Sequence, residues 1–202
     1  YRTQWKDRTY TDFFNGPNGE ELVANILGVN ALHQGIEIDG VWRVNRKLNI
    51  TGMASIGDWT WQNDIENLGI FEGNTQVGEV DAYIAGLHVG DAAQTTVAVG
   101  LAYKLMPDLR ISIDYNYYDR LYANYDPTSR SDESARGVEA WKIPAFGIFD
   151  LNVSYDFDLA GFGASLYGNV YNLFDEKCVM DAQEGNKHDA FTSRVYYGFS
   201  AN

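Results

Sequence analysis

The sequence has one cysteine, Cys178, and four prolines among 202 residues. A lone thiol excludes an internal disulfide, and no base partner marks Cys178 as a nucleophile. Cations are scarce: 15 Lys and Arg against 28 Asp and Glu give a net charge of −13. Non-specific nucleic-acid binding needs a basic face, so no nucleic-acid partner is expected. No stretch approaches the roughly 18 uninterrupted apolar residues of a membrane helix. A transmembrane barrel stays open, because it hides apolar residues at every second position, and a mean hydropathy of −0.32 fits it. There is no Gly-rich phosphate loop, nucleophile elbow or zinc-protease helix. His33, His88 and His188 lack metal-ligand spacing. The acidic cluster Asp181, Glu184 and Asp189 lacks the ordered spacing of a calcium loop. No catalytic residue and no cofactor is expected.

What the chain does have is aromatic side chains, 14 Tyr, 10 Phe and 5 Trp, too many for a disordered polymer. It also has alternation. In Phe149–Asp175, the residues Phe149, Leu151, Val153, Tyr155 and Phe157 alternate with Asp150, Asn152, Ser154 and Asp156. After Asp158-Leu159-Ala160-Gly161 a second run sets Phe162, Ala164, Leu166, Gly168 and Val170 against Gly163, Ser165, Tyr167, Asn169 and Tyr171. A period of two means strand, and the short break means a hairpin. Ordinary strands run about 5–6 residues, whereas bilayer-crossing strands need about 9–11.

The same pattern predicts about eight up-and-down strands, near 1–10, 32–44, 48–61, 93–105, 109–122, 149–157, 162–171 and a last one around Val195–Phe199. The phase slips near Gly57-Asp58, which predicts a bulge or the end of an embedded stretch. Extra strand structure is expected at Val80–Leu87. The connections run long, short, long, short, long, short, long. A soluble sandwich has no reason to sort its loops so, whereas an outer-membrane barrel has short periplasmic turns and long external loops. Both termini then lie on the periplasmic side. Trp42, Tyr103, Phe157 and Phe162 sit near short turns, and Tyr115, Tyr117 and Tyr122 at the far end, as two interfacial girdles require. The fold class expected is all-β, an antiparallel transmembrane β-barrel segment. The chain starts inside an alternating run, so a trimmed piece and an open sheet are expected.

Asn172-Leu173-Phe174-Asp175 on the rising arm of the last hairpin, with Gly28–Asp39, Val89–Thr96 and Tyr115–Pro127, resembles the C-terminal part of the barrel of TonB-dependent outer-membrane receptors. The likeness runs from end to end. It implies a piece of a 22-stranded barrel, with the N-terminal plug absent, that takes up a scarce nutrient across the outer membrane of a Gram-negative bacterium. The ligand would be a metal chelate, cobalamin or an oligosaccharide. Implied partners are outer-membrane lipid, the remainder of the barrel and the plug, the TonB complex, the ligand and a surface lipoprotein. Two other readings stay open: a complete eight-stranded barrel acting as anchor or adhesin, and a soluble all-β binding domain.

The polar residues of the strands are expected to face the lumen, toward plug or ligand: Glu37, Asp39, Arg110, Asp114, Asn116, Asp150, Asn152, Asp156 and Asn169. The loop aromatics Trp59, Trp61, Tyr125 and Trp141 are expected either to stack on a sugar or flat ligand or to form collars above the membrane.

Overall fold

The computed structural model describes residues 1–16, 18–125 and 127–184. The main sheet contains nine strands: β1 (Arg2–Asn15), β2 (Glu21–Arg43), β3 (Leu48–Trp61), β4 (Ile65–Glu72), β5 (Thr75–Ala82), β6 (Thr95–Met106), β7 (Leu109–Asp119), β11 (Phe146–Leu159) and β12 (Phe162–Val170). Three short strands cap the structure between β7 and β11: β8 (Leu121–Tyr122), β9 (Asn124–Tyr125) and β10 (Lys142–Ile143). A fourth, β13 (Gln183–Glu184), pairs with β9. The sheet order is β12-β11-β7-β6-β3-β2-β4-β5, with β1 on the other edge of β2, and the long pairings are antiparallel.

The register places the alternation on two faces. Cross-strand partners share a face, so the row Ile38, Ala54 and Val97 continues the row Ile50, Leu101, Ile113 and Leu151 on one side. From Ile36 and Ile56 down to the lower turns that side is apolar, and it stays open to the surroundings: Ile36 is 77% exposed and Phe162 78%. On β7 it runs over Leu109–Tyr117, nine residues or about 27 Å of strand, matching what a bilayer crossing requires. Above Ile36 and Ile56 the same face turns polar, and Gln34 donates to Asp58 at 3.3 Å. The predicted slip at Gly57-Asp58 is therefore the end of the apolar band; β3 keeps unbroken register with β2 through it.

At the lower end the turns are short. Asn45 Oδ1 accepts from the N–H groups of Lys47 and Leu48 at 2.8 and 2.9 Å. Ala160 (φ 54°) and Gly161 (φ 83°) both occupy the left-handed region, as a two-residue type I′ hairpin requires. Rings of Trp42, Tyr103, Tyr155, Phe157 and Phe162 are exposed there.

Three expectations need correction. The first connection is not a loop: β1 and β2 continue as a ribbon to Asn15 and Glu21. Its alternation is hidden because Asp7 (φ 51°) and Gly28 (φ 72°) sit where the pairing shifts register, and each shift flips the phase. Next, the segment after β3 forms the β4–β5 hairpin, so strand structure covers Ile65–Glu72 and Thr75–Ala82, and the expected stretch Val80–Leu87 is strand only as far as Ala82. Finally, Tyr122 is not in the girdle. Arg120 (φ 54°) ends β7, and Tyr122 turns inward to only 8% exposure. The expected strand around Val195–Phe199 lies outside the described residues.

The packed core sits above the band, on the opposite face. Leu22, Ala24, Ile26 and Val29 of the ribbon pack with Ile65, Leu68 and Ile70 of β4, with Ile84 and Leu87, and with Tyr122 and Tyr125. A second cluster joins Leu121, Ala123, Ile143, Phe146 and Ala182. Removing such side chains from water contributes about 1.5–3 kcal/mol each, which fixes the long connections as a folded cap. Among the described residues, the sheet does not close. The lower half of β2, from Ile36 to Arg43, pairs on one edge only, and so does β12.

Candidate functional site

The expected lumen residues share one face, the polar one. Glu37 pairs with Ser55, which pairs with Thr96; Asp39 pairs with Met53. Together with Trp59 these line a shallow groove of about 330 Å³. Glu37 accepts a long 3.4 Å hydrogen bond from Ser55, and neither Glu37 nor Asp39 forms an ion pair among the described residues.

Trp59 is the best-held aromatic. Gln94, only 1% exposed, clamps its backbone: Trp59 N–H donates to Gln94 Oε1 at 2.9 Å, and Gln94 Nε2 donates to Trp59 O at 3.1 Å. Trp59 Nε1 donates to Tyr1 Oη at 2.8 Å. Its ring lies 5.4 Å from that of His33, which lies 4.2 Å from Trp5, and the Arg8 guanidinium covers Trp5 at 4.6 Å. Three rings thus cross β1, β2 and β3 in a row. Sequence reading missed Trp5 and His33 as members of it, because only the cross-strand register brings them together.

A second polar group lies three to four strands away from β2, about 14–19 Å at the usual spacing. Asn152 Nδ2 donates to Asp114 Oδ2 at 2.9 Å, and Asp150 pairs with Asp114. Asp150 Oδ1 also accepts from Asn172 N–H at 2.8 Å. Gly100 lies between Thr51 and Asp114; a Cβ there would fall 2.4 Å from Thr51 Oγ1 and 2.6 Å from Asp114 Oδ1. Asn116 continues this face upward beside Ala98 and Ile148. Arg110 is near the lower rim beside Lys104 and Ser154, remote from the groove. Asp156 and Asn169 lie on the same face, Asp156 accepting from Ser165 Oγ at 2.7 Å.

The other loop aromatics are divided. Trp61 packs against the core cluster, and its N–H donates to Leu87 O at 2.9 Å. Tyr125 is 6% exposed, with the Arg130 guanidinium 4.7 Å above its ring, so it has little surface to offer a ligand. Trp141 is 39% exposed, and its carbonyl accepts from Ala123 N–H. His88 stacks on Tyr122 at 4.3 Å; its Nδ1 meets Glu139 at 2.5 Å and its Nε2 lies 3.7 Å from Asp58. This ties the cap to the sheet. Among the described residues no group of His, Cys, Asp and Glu has metal-binding geometry. Asp189, and the side chain of Glu184, lie outside the description.

The segment Asn172–Asp175 sits just above β12 and is a closed turn. Asn172 (φ 50°) donates from Nδ2 to Glu176 O at 3.0 Å and accepts Glu176 N–H at 2.8 Å. Leu173 N–H donates to Phe149 O at 2.7 Å, and Phe174 meets Phe149 edge-on at 5.3 Å. The turn therefore locks the top of the last hairpin and presents a ring to the upper girdle.

A family model described as TonB dependent receptor-like, beta-barrel matches residues 1–173. No curated protein matches the chain. Among solved structures, the siderophore receptor PiuA from Acinetobacter baumannii aligns with a TM-score of 0.51 at 16% identity, over 87% of this chain. The chain spans 25% of the length of that receptor, and at this identity the likeness concerns the fold alone. With the antiparallel meander, the apolar band and the family match together, the chain belongs to the TonB-dependent receptor-like β-barrel family.

Proposed function

We propose that this chain is a barrel portion of an outer-membrane transporter that takes up a scarce nutrient with energy delivered through TonB. The observation that carries the reading is the continuous apolar face of β2, β3, β6, β7, β11 and β12 opposite a polar face, with short turns at one end and a folded cap at the other. The remainder of the barrel pairs with the open edges of β2 and β12, since unpaired backbone groups in hydrocarbon cost several kcal/mol each. Plug and ligand meet the polar face, through Glu37 and Asp39 near β2 and through Asp114, Asn116, Asp150 and Asn152 near β11. Of the four loop aromatics, Trp59 lines the groove and Trp141 is exposed, so these two have surface to offer a ligand. The family membership supports this reading; the siderophore named for the structural neighbour does not decide the nutrient at 16% identity.

The test is genetic. The receptor gene is deleted in the source organism, and growth is followed on limiting ferric chelates, cobalamin and oligosaccharides, with the TonB system intact or inactivated. One nutrient should lose its uptake on deletion with TonB intact, and equally on TonB inactivation alone, with no further loss when the two are combined. Unchanged use of every nutrient would overturn the reading.

A further inference from the structure

We propose that His88, set between Asp58 and Glu139, is a proton-operated clasp that fastens segment 137–141 of the cap to the sheet and holds it more tightly in mild acid than in mild base. The clasp acts on the cap, whatever nutrient is transported.

His88 is held to β3 through its chain neighbours. Trp61 N–H donates to Leu87 O and Val89 N–H donates to Trp59 O, both at 2.9 Å, and His88 bridges Thr60. Its ring lies flat on Tyr122 of β8, with centroids 4.3 Å apart and planes 3° apart. Both ring nitrogens face carboxylates. Nδ1 is 2.5 Å from Glu139 Oε2, and Nε2 is 3.7 Å from Asp58 Oδ1. Asp58 is part of the sheet, and Arg120 at the end of β7 steadies it: Nη2 lies 3.8 Å from Asp58 Oδ1, and Nη1 donates to Gly57 O at 2.6 Å. Glu139 comes from the cap, in an exposed stretch beside Val138. Its Oε1 accepts from His88 N–H at 3.2 Å and from Ala140 N–H at 3.0 Å. The imidazole thus stands between one carboxylate of the wall and one of the cap.

A neutral imidazole carries one N–H, so it donates to one carboxylate and turns a lone pair toward the other. A protonated ring donates at both nitrogens and carries a charge that attracts both carboxylates. Hydrogen bonds with an ionised partner are roughly twice as strong as neutral ones. Histidine is the side chain that changes charge between about pH 5 and pH 8. Water reaches this ring: its side chain is 21% exposed, and Asp58 stands about 7 Å along β3 above Ile56, where hydrocarbon gives way to headgroups. The other ties of the segment run through arginines, which keep their charge. Arg130 Nη1 donates to Val138 O at 2.7 Å, and Arg136 pairs with Asp64 and covers the Tyr83 ring at 4.4 Å. Loss of the proton therefore loosens one tie among several, and the segment shifts while the cap stays folded.

The intact receptor, with Cys178→Ala and a nitroxide on Val138→Cys, is reconstituted in bilayers, and its electron paramagnetic resonance spectrum is recorded at about pH 5 and about pH 8. The ratio of immobilised to mobile label should fall by about threefold or more from the lower to the higher pH. His88→Gln, which keeps an N–H donor but cannot take up a charge, should remove the difference. Glu139→Gln should remove it with the ring in place, and it decides the outcome should His88→Gln fail to assemble. Arg136→Gln should raise mobility at both pH values and keep the difference. Equal mobility at the two pH values in the parent would overturn the proposal. So would a difference that survives His88→Gln or Glu139→Gln, or one that disappears with Arg136→Gln.

Discussion

Asn152 donates to Asp114 at 2.9 Å across the β7–β11 pair, on the face opposite the apolar band. The bond ties two polar side chains into one group and leaves Asp150 to hold the Asn172 turn. A hydrogen bond to a charged group contributes about 1.5–3 kcal/mol when sheltered and less when wet. A double-mutant cycle with Asp114→Ala and Asn152→Ala, read by urea unfolding of the intact receptor in vesicles, should give a favourable coupling of about 0.5–1.5 kcal/mol. Strictly additive single effects would show that the bond does not form.

The two faces should respond differently to charge. Ile38, Leu101, Ile113, Val153 and Leu166 lie on the apolar face by register. Arg at each should cost about 2–4 kcal/mol in folding titrations into lipid vesicles. Arg at Asn152 or Ser154 should cost much less. Equal costs on the two faces would contradict the orientation.

Topology is open to labelling. In a Cys178→Ala background, single cysteines at Ser131, in the cap, and at Asn45 and Asp108, in the lower turns, are treated with an impermeant maleimide on whole cells. Ser131→Cys should react, and Asn45→Cys and Asp108→Cys should react only after the cells are lysed. The reverse pattern would invert the sheet. The same test at Asn186 concerns a residue outside the described structure.

The native thiol supplies a pH prediction. Burial against Leu121 and Ile143, and then the nearby Glu176 charge, push the Cys178 thiol above its ordinary value. The folded state therefore disfavours the thiolate: stability from this group is full at neutral pH and declines as pH rises past the ordinary thiol value. The rate of alkylation by iodoacetamide should reach its midpoint above about pH 8.5, and return to that value in denaturant. A midpoint at or below it in the folded protein would contradict the burial.

The sequence made the membrane strands legible because a single period of two, held over nine residues or more, is hard to produce otherwise. β6, β7, β11 and β12 fall within a few residues of where alternation puts them. The cap was not legible. Asp7 and Gly28 shift the phase of the ribbon, and the β4–β5 hairpin is stabilised by contacts with Ile26 and Leu87 that no local pattern encodes. For the site, alternation assigned Glu37, Asp39, Asp114, Asn116, Asp150 and Asn152 to one face. It was blind to distance across the sheet. Trp5, His33 and Trp59 come from three strands, and only hydrogen-bonded register sets them in a row. Tyr125 has the composition of a ligand-stacking residue, yet it is covered by Arg130.

The central claim is that one face of this sheet lies against lipid, and β7 tests it most directly. A nitroxide is placed in turn at each position from Leu109 to Tyr117 of the intact receptor in bilayers, and its collision rates with oxygen and with a water-soluble nickel chelate are measured. Leu109, Ile111, Ile113, Tyr115 and Tyr117 should favour oxygen, and Arg110, Ser112, Asp114 and Asn116 should not, a period of two along the whole strand. Uniform accessibility to the nickel chelate at all nine positions would contradict it.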